Sequence, residues 1–296
     1  MNLQNYLNSD KQINLMSSPY RFGVIYNFFK PDIYEQLTVA YRKWMENARP
    51  LGAVGEHDLY YGALCATPSE QDMLSGVQQV LISKQLQAYL CGFFLPPSQA
   101  HHVNQFIILG AHQHNPPTET SWVHADFNIV SFVEKKVANE NCLMMWEPTD
   151  CNYTEDSLND QPNTVKVARY IACIYYLDNA PWQLGDGGET GIYNGFEKDL
   201  PLAGKIAPIN NCLFFFEITP FSFHCAQGCT RQRNSLIWWY HTSPAYQYFK
   251  NKDLIEFKRN FIENAEDFEW WTKPEKDKWA IELDPLYEYY KALKKS

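Results

Sequence analysis

Trp122-Val123-His124-Ala125-Asp126 places a histidine and an aspartate two positions apart in a segment that reads as a strand. Side chains two apart on an extended strand leave from the same face, so these two can share one ligand. A second imidazole follows 98 residues after Asp126, in Phe223-His224-Cys225, which also reads as a strand. Two imidazoles and one carboxylate make the facial set that suits non-haem Fe(II), and such a set leaves three coordination positions open. Each histidine taken alone is most simply a core or surface residue, and HxD recurs by chance, so the pairing calls for a third feature.

Arg233-Asn234-Ser235 supplies it, nine residues past His224. A guanidinium and a hydroxyl at alternate strand positions face the same way and form a receptor for a terminal carboxylate, an arrangement that 2-oxoglutarate fits. Arg231 competes for the same face, but only Arg233 is followed at two positions by a serine. Trp122, Trp238, Trp239 and Tyr240 bracket these residues. Aromatics beside strands are mostly core. Trp239 shares the face of Arg233 and Ser235 and is the best placed as a pocket wall, with Trp122 the other candidate substrate contact. The pairs His101-His102 and His112/His114 lie among prolines and asparagines and read as solvent-exposed. Eight irregularly spaced cysteines read as free thiols, and the Cys225/Cys229 spacing is not that of a zinc knuckle.

These groups need elements to hold them. From about residue 103 short runs rich in β-branched and aromatic residues alternate with polar loops. Strand candidates are 106–109, 122–133, 167–177, 189–193, 212–218, 221–226 and 235–241, a spacing that suggests a sandwich or jelly roll. Helical patterns flank them. Pro31-Asp32 opens one, with Ile33, Leu37, Ala40, Tyr41, Trp44 and Met45 on a face. Thr67-Pro68-Ser69-Glu70 is a capping box opening a second, which runs to Gly92. A third carries Leu254, Phe257, Phe261 and Ile262 on one face, and a last segment spans 284–293. The expected architecture is mainly β: a jelly-roll core over 103–245 between an N-terminal helical region, 1–102, and a C-terminal one, 246–296, in a single domain. A polar insertion at 147–164 reads as a mobile loop that closes over substrate.

Composition narrows the partners. The 34 acidic and 25 basic residues leave a net charge of −9 with no basic block, which removes the electrostatic basis for nucleic-acid binding. No apolar run approaches membrane-span length, and no signal-peptide pattern opens the chain. A cytoplasmic protein is the expectation.

Taken in order, HxD, a strand ending Tyr-Leu (Arg169 to Leu177, RYIACIYYL), Gly187-Gly188-Glu189-Thr190, His224, and Arg233, Ser235 and Trp239 resemble the Fe(II)/2-oxoglutarate-dependent dioxygenases, especially the prolyl-4-hydroxylase-like branch. The resemblance covers about residues 120 to 241. It implies a double-stranded β-helix with iron on His124, Asp126 and His224 at one mouth of the barrel. It further implies 2-oxoglutarate bound at Arg233 and Ser235, and O2 as the second cosubstrate. Hydroxylation of a small metabolite or of an amino-acid- or peptide-derived substrate, with release of succinate and CO2, is the implied activity. Desaturation, cyclisation or epoxidation by the same chemistry and a non-catalytic cupin-like binder are the alternatives. Two departures weigh against peptidyl proline: Arg233 stands where prolyl hydroxylases usually carry a lysine, and the HxD to Tyr-Leu interval is longer. Asp126 weighs against halogenation, because halogenating relatives have Gly or Ala at this position.

Overall fold

A computed structural model describes residues 2–47, 52–53, 58–61, 76–121, 123–127, 129–133, 140–145, 164–196 and 200–263. Among the described residues, thirteen strands and three α-helices make a mainly β architecture. The strands are β1 (Gln12–Met16), β2 (Phe22–Tyr26), β3 (Gly52–Ala53), β4 (Asp58–Tyr61), β5 (Val103–His114), β6 (Ile129–Val133), β7 (Met144–Met145), β8 (Thr164–Tyr176), β9 (Thr190–Tyr193), β10 (Leu202–Ile206), β11 (Cys212–Glu217), β12 (His224–Ala226) and β13 (Arg233–Thr242). The helices are α1 (Pro31–Asn47), α2 (Lys84–Cys91) and α3 (Pro244–Glu263). One sheet runs β1-β2-β11-β8-β13-β5-β4-β3, with β6 on β8 and β7 on β5; the other runs β10-β9-β12. The smaller sheet closes over the inner face of the larger one, where Ile192 of β9 packs with Ile174 of β8 and Ile237 of β13. This is the jelly roll expected of the sequence.

Alternation along the central strands separates two cores. Tyr176, Ile174, Phe214, Phe216 and Ile237 point into the barrel. Their neighbours Tyr175, Phe215 and Trp238 point out, where Leu37 of α1 and Leu86 and Leu90 of α2 cover them. Each such side chain removed from water stabilises the fold by about 1.5 to 3 kcal/mol. Sheet and helices therefore hold each other in place, and the barrel interior is left to carry polar groups at its mouth.

Several expected elements differ. The region 1–102 is not helical throughout. β2 extends the large sheet by pairing with β11 and carries β1 at its edge, and β3 and β4 extend the other edge through β5. Phe22 to Val24 are buried on both faces, so β2 lacks the period-two signature that marks a half-exposed strand. The second helix is interrupted: a 3-10 turn over Gly76–Val80 precedes α2, whose N-cap Ser83 accepts from Leu86 N at 3.1 Å and donates to Val80 O at 2.8 Å. Helix α3 buries Gln247, Tyr248, Asn251 and Ile255, leaving Phe257 of the expected face 49% exposed. His112 and His114 lie on β5, not in a loop, and His114 is buried. The six described cysteines are buried free thiols. The capping box at 67–70, Trp122, most of the 147–164 insertion and the 284–293 segment lie outside the described residues.

Candidate metal centre and adjoining carboxylate pocket

HxD does not sit on a strand ladder as expected. His124 forms an isolated bridge with His224 of β12, donating from its N–H to the His224 carbonyl at 3.0 Å and accepting at 2.9 Å in return. Asp126 follows in extended loop, and β6 begins only at Ile129. The bridge itself aligns the two imidazoles, whose ring centroids are 4.5 Å apart. One ligand atom from each of His124, Asp126 and His224 falls within 4.8 Å of the others, the only such group among the described residues.

The donor set fits a divalent metal. His124 Nε2 is 3.7 Å from Asp126 Oδ1, and His224 Nε2 is 3.8 Å from Asp126 Oδ2. His224 Nδ1 lies 3.1 Å from the Ser222 carbonyl. A carbonyl can only accept, so the proton resides on Nδ1 and the lone pair of Nε2 faces the carboxylate, the tautomer a metal requires. Burial alone pushes the Asp126 carboxyl up. Arg169, then His224 and His124, and the Trp239 hydrogen bond outweigh burial and hold it down at about 2. Asp126 is therefore an anion throughout the physiological range.

Arg233 is 3% exposed and opens β13 beside this group. Its Nε donates to Gly188 O at 2.8 Å, Nη2 to Thr190 Oγ1 at 3.0 Å and Nη1 to Ser235 Oγ at 3.4 Å. The Tyr176 hydroxyl is a further partner of the guanidinium; a guanidinium has five donors, and its terminal nitrogens form the fork that pairs with a carboxylate. Tyr176 lies 5.2 Å beneath the guanidinium and shares its hydroxyl with Thr190 at 2.5 Å. Gly187 and Gly188 make this possible. Both have positive φ, and a Cβ on Gly187 would meet Gly228 O at 2.0 Å. Arg231, the rival on sequence grounds, precedes the strand at the surface, where it pairs with Asp186 at 3.3 Å.

Trp239 lies on the inner face with Arg233 and Ser235, and its Nε1 donates to Asp126 Oδ2 at 2.7 Å. Arg169, quoted in the sequence only as part of a strand, donates to Asp126 Oδ1 at 3.2 Å and stacks 4.5 Å over Trp239. Tyr176 and Thr190 also gained no role from sequence, although both stand in the quoted motifs; their alternation with outward-facing neighbours was the available signal.

Residues 148–241 match a family model described as the 2OG-Fe(II) oxygenase superfamily. Among solved structures, a Pseudomonas putida prolyl-4-hydroxylase shares 16% identity over 75% of this chain and 92% of that one, at a TM-score of 0.40. A Phytophthora capsici prolyl 4-hydroxylase shares 14% over 92% and 79%, at 0.46. A Trichoplax adhaerens prolyl hydroxylase, solved with a hypoxia inducible factor oxygen degradation domain peptide fragment, shares 14% over 75% and 83%, at 0.45. No curated protein matches the chain by sequence.

Proposed function

Because residues 148–241 match the 2OG-Fe(II) oxygenase superfamily, we propose that the chain is such an oxygenase and hydroxylates an unactivated C–H of a small metabolite or of an amino-acid- or peptide-derived substrate. Fe(II) is its cofactor, and 2-oxoglutarate and O2 are its cosubstrates. The observation that carries the reading is the convergence of His124 and Asp126 from one segment and His224 from another onto one point, with a buried arginine on the neighbouring strand β13. When bound there, Fe(II) would supply activation of O2 coupled to decarboxylation of the 2-oxo acid, so that succinate, CO2 and a hydroxylated product result.

The chain's own residues do the positioning. The backbone bridge holds His124 against His224, and the Ser222 carbonyl accepts from Nδ1 of His224 and so turns Nε2 toward the metal position. Arg233, with Ser235 and Thr190 fixing its fork, would bind the far carboxylate of 2-oxoglutarate and so orient its 2-oxo end toward the triad. Ile174, Ile192 and Ile237 cluster inside the barrel, where apolar side chains would keep water from the bound reactants. A simple binder on this fold has no use for a buried dicarboxylate receptor. Motif order supports the prolyl-4-hydroxylase-like branch, while the arginine at position 233 supports a substrate other than peptidyl proline. Among the described residues no helix is long and apolar enough to cross a membrane.

The test couples succinate release to a panel of free amino acids, small metabolites and short peptides, with and without proline. A product gaining one oxygen in a one-to-one ratio with succinate is expected. Iron-loaded protein that consumes no 2-oxoglutarate with any of them, and none without substrate, overturns the reading.

A further inference from the structure

Asp126 carries two hydrogen-bond donors that the ligand motif does not account for, and the strand ladder explains how one of them arrives. Along β8, Tyr176, Ile174 and Ala172 point into the barrel. Regular alternation would continue with Tyr170 inside and Arg169 outside. The β8–β13 register breaks at this point: Tyr240 pairs with Ile171, but His241 pairs with Arg169. Tyr170 is therefore the extra residue of a β-bulge. It turns outward into the helix-covered core, where its hydroxyl meets Glu217 at 3.1 Å and Lys250 at 2.7 Å. Gln247 of α3, fully buried, donates to the Arg169 carbonyl at 3.0 Å and to Ile218 O at 2.8 Å. The bulge is thus held from outside by α3, and its consequence inside is that Arg169 faces Asp126.

We propose that Arg169, turned into the barrel by the bulge at Tyr170, is a positioning residue which, together with Trp239, restricts Asp126 to ligating the metal through a single oxygen. Arg169 occupies Oδ1 and Trp239 occupies Oδ2, and the guanidinium stacks on the indole so that neither donor can swing away alone. Each oxygen keeps one lone pair beside its donor, but donors fixed on both oxygens hold the carboxylate against the rotation that would bring both onto one metal ion. Holding it to one leaves a coordination position open for the reactants, and outer partners of metal ligands act in this way generally.

The inference rests on the metal-centre reading, and Co(II) tests the two separately because its d–d absorption reports ligand number without turnover. Wild-type protein that binds no Co(II) at the triad removes the centre itself. Where wild type binds, Arg169→Ala is expected to weaken Co(II) affinity by about 10- to 100-fold and to shift the d–d bands toward a higher coordination number. Arg169→Lys, which keeps a charged donor, is expected to recover most of the affinity. Should Arg169→Ala fail to fold, Trp239→Phe takes its place and is expected to shift the same bands. A folded Arg169→Ala with wild-type affinity and spectrum, or a Trp239→Phe with wild-type spectrum in its stead, overturns the proposal. So does an effect confined to the substrate KM.

Discussion

Replacing Arg233 with alanine removes the whole fork that the pocket builds. The terminal nitrogens belong to a side chain that is 3% exposed, so a carboxylate bound there would lose charge-assisted bonds in a buried site. Such a bond contributes about 1.5 to 3 kcal/mol, which converts to a roughly 10- to 100-fold rise in KM for 2-oxoglutarate. The change also leaves Gly188 O and Thr190 Oγ1 without their donor, so the melting temperature is expected to drop as well. Arg233→Lys keeps the charge but cannot form the fork, and an intermediate KM is expected. Arg231→Ala removes a surface pair with Asp186, worth under about 1 kcal/mol, and an exposed hydrogen bond to Pro181 O, and is expected to change KM little. Initial rates of succinate formation against 2-oxoglutarate concentration, with circular dichroism on each variant, measure all four proteins. Equal or larger effects from Arg231→Ala, or an unchanged KM in folded Arg233→Ala, would refute the assignment.

Three further outcomes follow from the same geometry. His224→Ala takes away one of the three proposed ligands and is expected to abolish stoichiometric Fe(II) binding and turnover, whereas unaltered metal titration would remove His224 from the centre. Gly187→Ala places a Cβ 2.0 Å from Gly228 O at a positive φ; a melting temperature lowered by several degrees and a raised KM for 2-oxoglutarate are expected, since Gly188 O holds Arg233, and a neutral result would mean the turn adapts freely. His114 and His241 are both kept neutral. Burial lowers each, with Arg233 and His112 adding to the effect at His114; at His241 the bond to Phe106 O offsets part of it and Arg169 adds, leaving the value at about 3. An unfolded histidine takes up a proton near pH 6.5, so the stability from these two is complete above that and declines as pH falls, by up to about 1.4 kcal/mol per unit for each. Thermal melts between pH 7.5 and 5.5 should show that decline, and His241→Gln should flatten it; a variant with the wild-type pH slope contradicts the assignment.

What the sequence by itself determined was chemistry arranged by alternation. Two positions on an extended chain share a face whatever the chain pairs with, so His124 with Asp126, and Arg233 with Ser235 and Trp239, could be grouped before any pairing was known. The strong helix over Ile33, Leu37 and Tyr41 and the central strands were legible for the same reason, because their periodicity is local. Features that depend on which segments pair were not. β2 shows no alternation because both its faces are covered, and β1 is exposed along its length. His112 and His114 looked like loop residues because their neighbours are turn formers, yet β5 continues through them, His112 against Ser235 and His114 against Arg233. The HxD segment converges on His224 through a backbone bridge between chain positions a hundred residues apart, not through a ladder of its own. Above all, the side of the sheet on which Arg169 lies was decided by tertiary structure. Counted from Tyr176 it belongs outside; one unpaired residue in β8, held by α3, puts it on Asp126. A register shift is a property of two strands and what packs on them, and a single segment's pattern does not contain it.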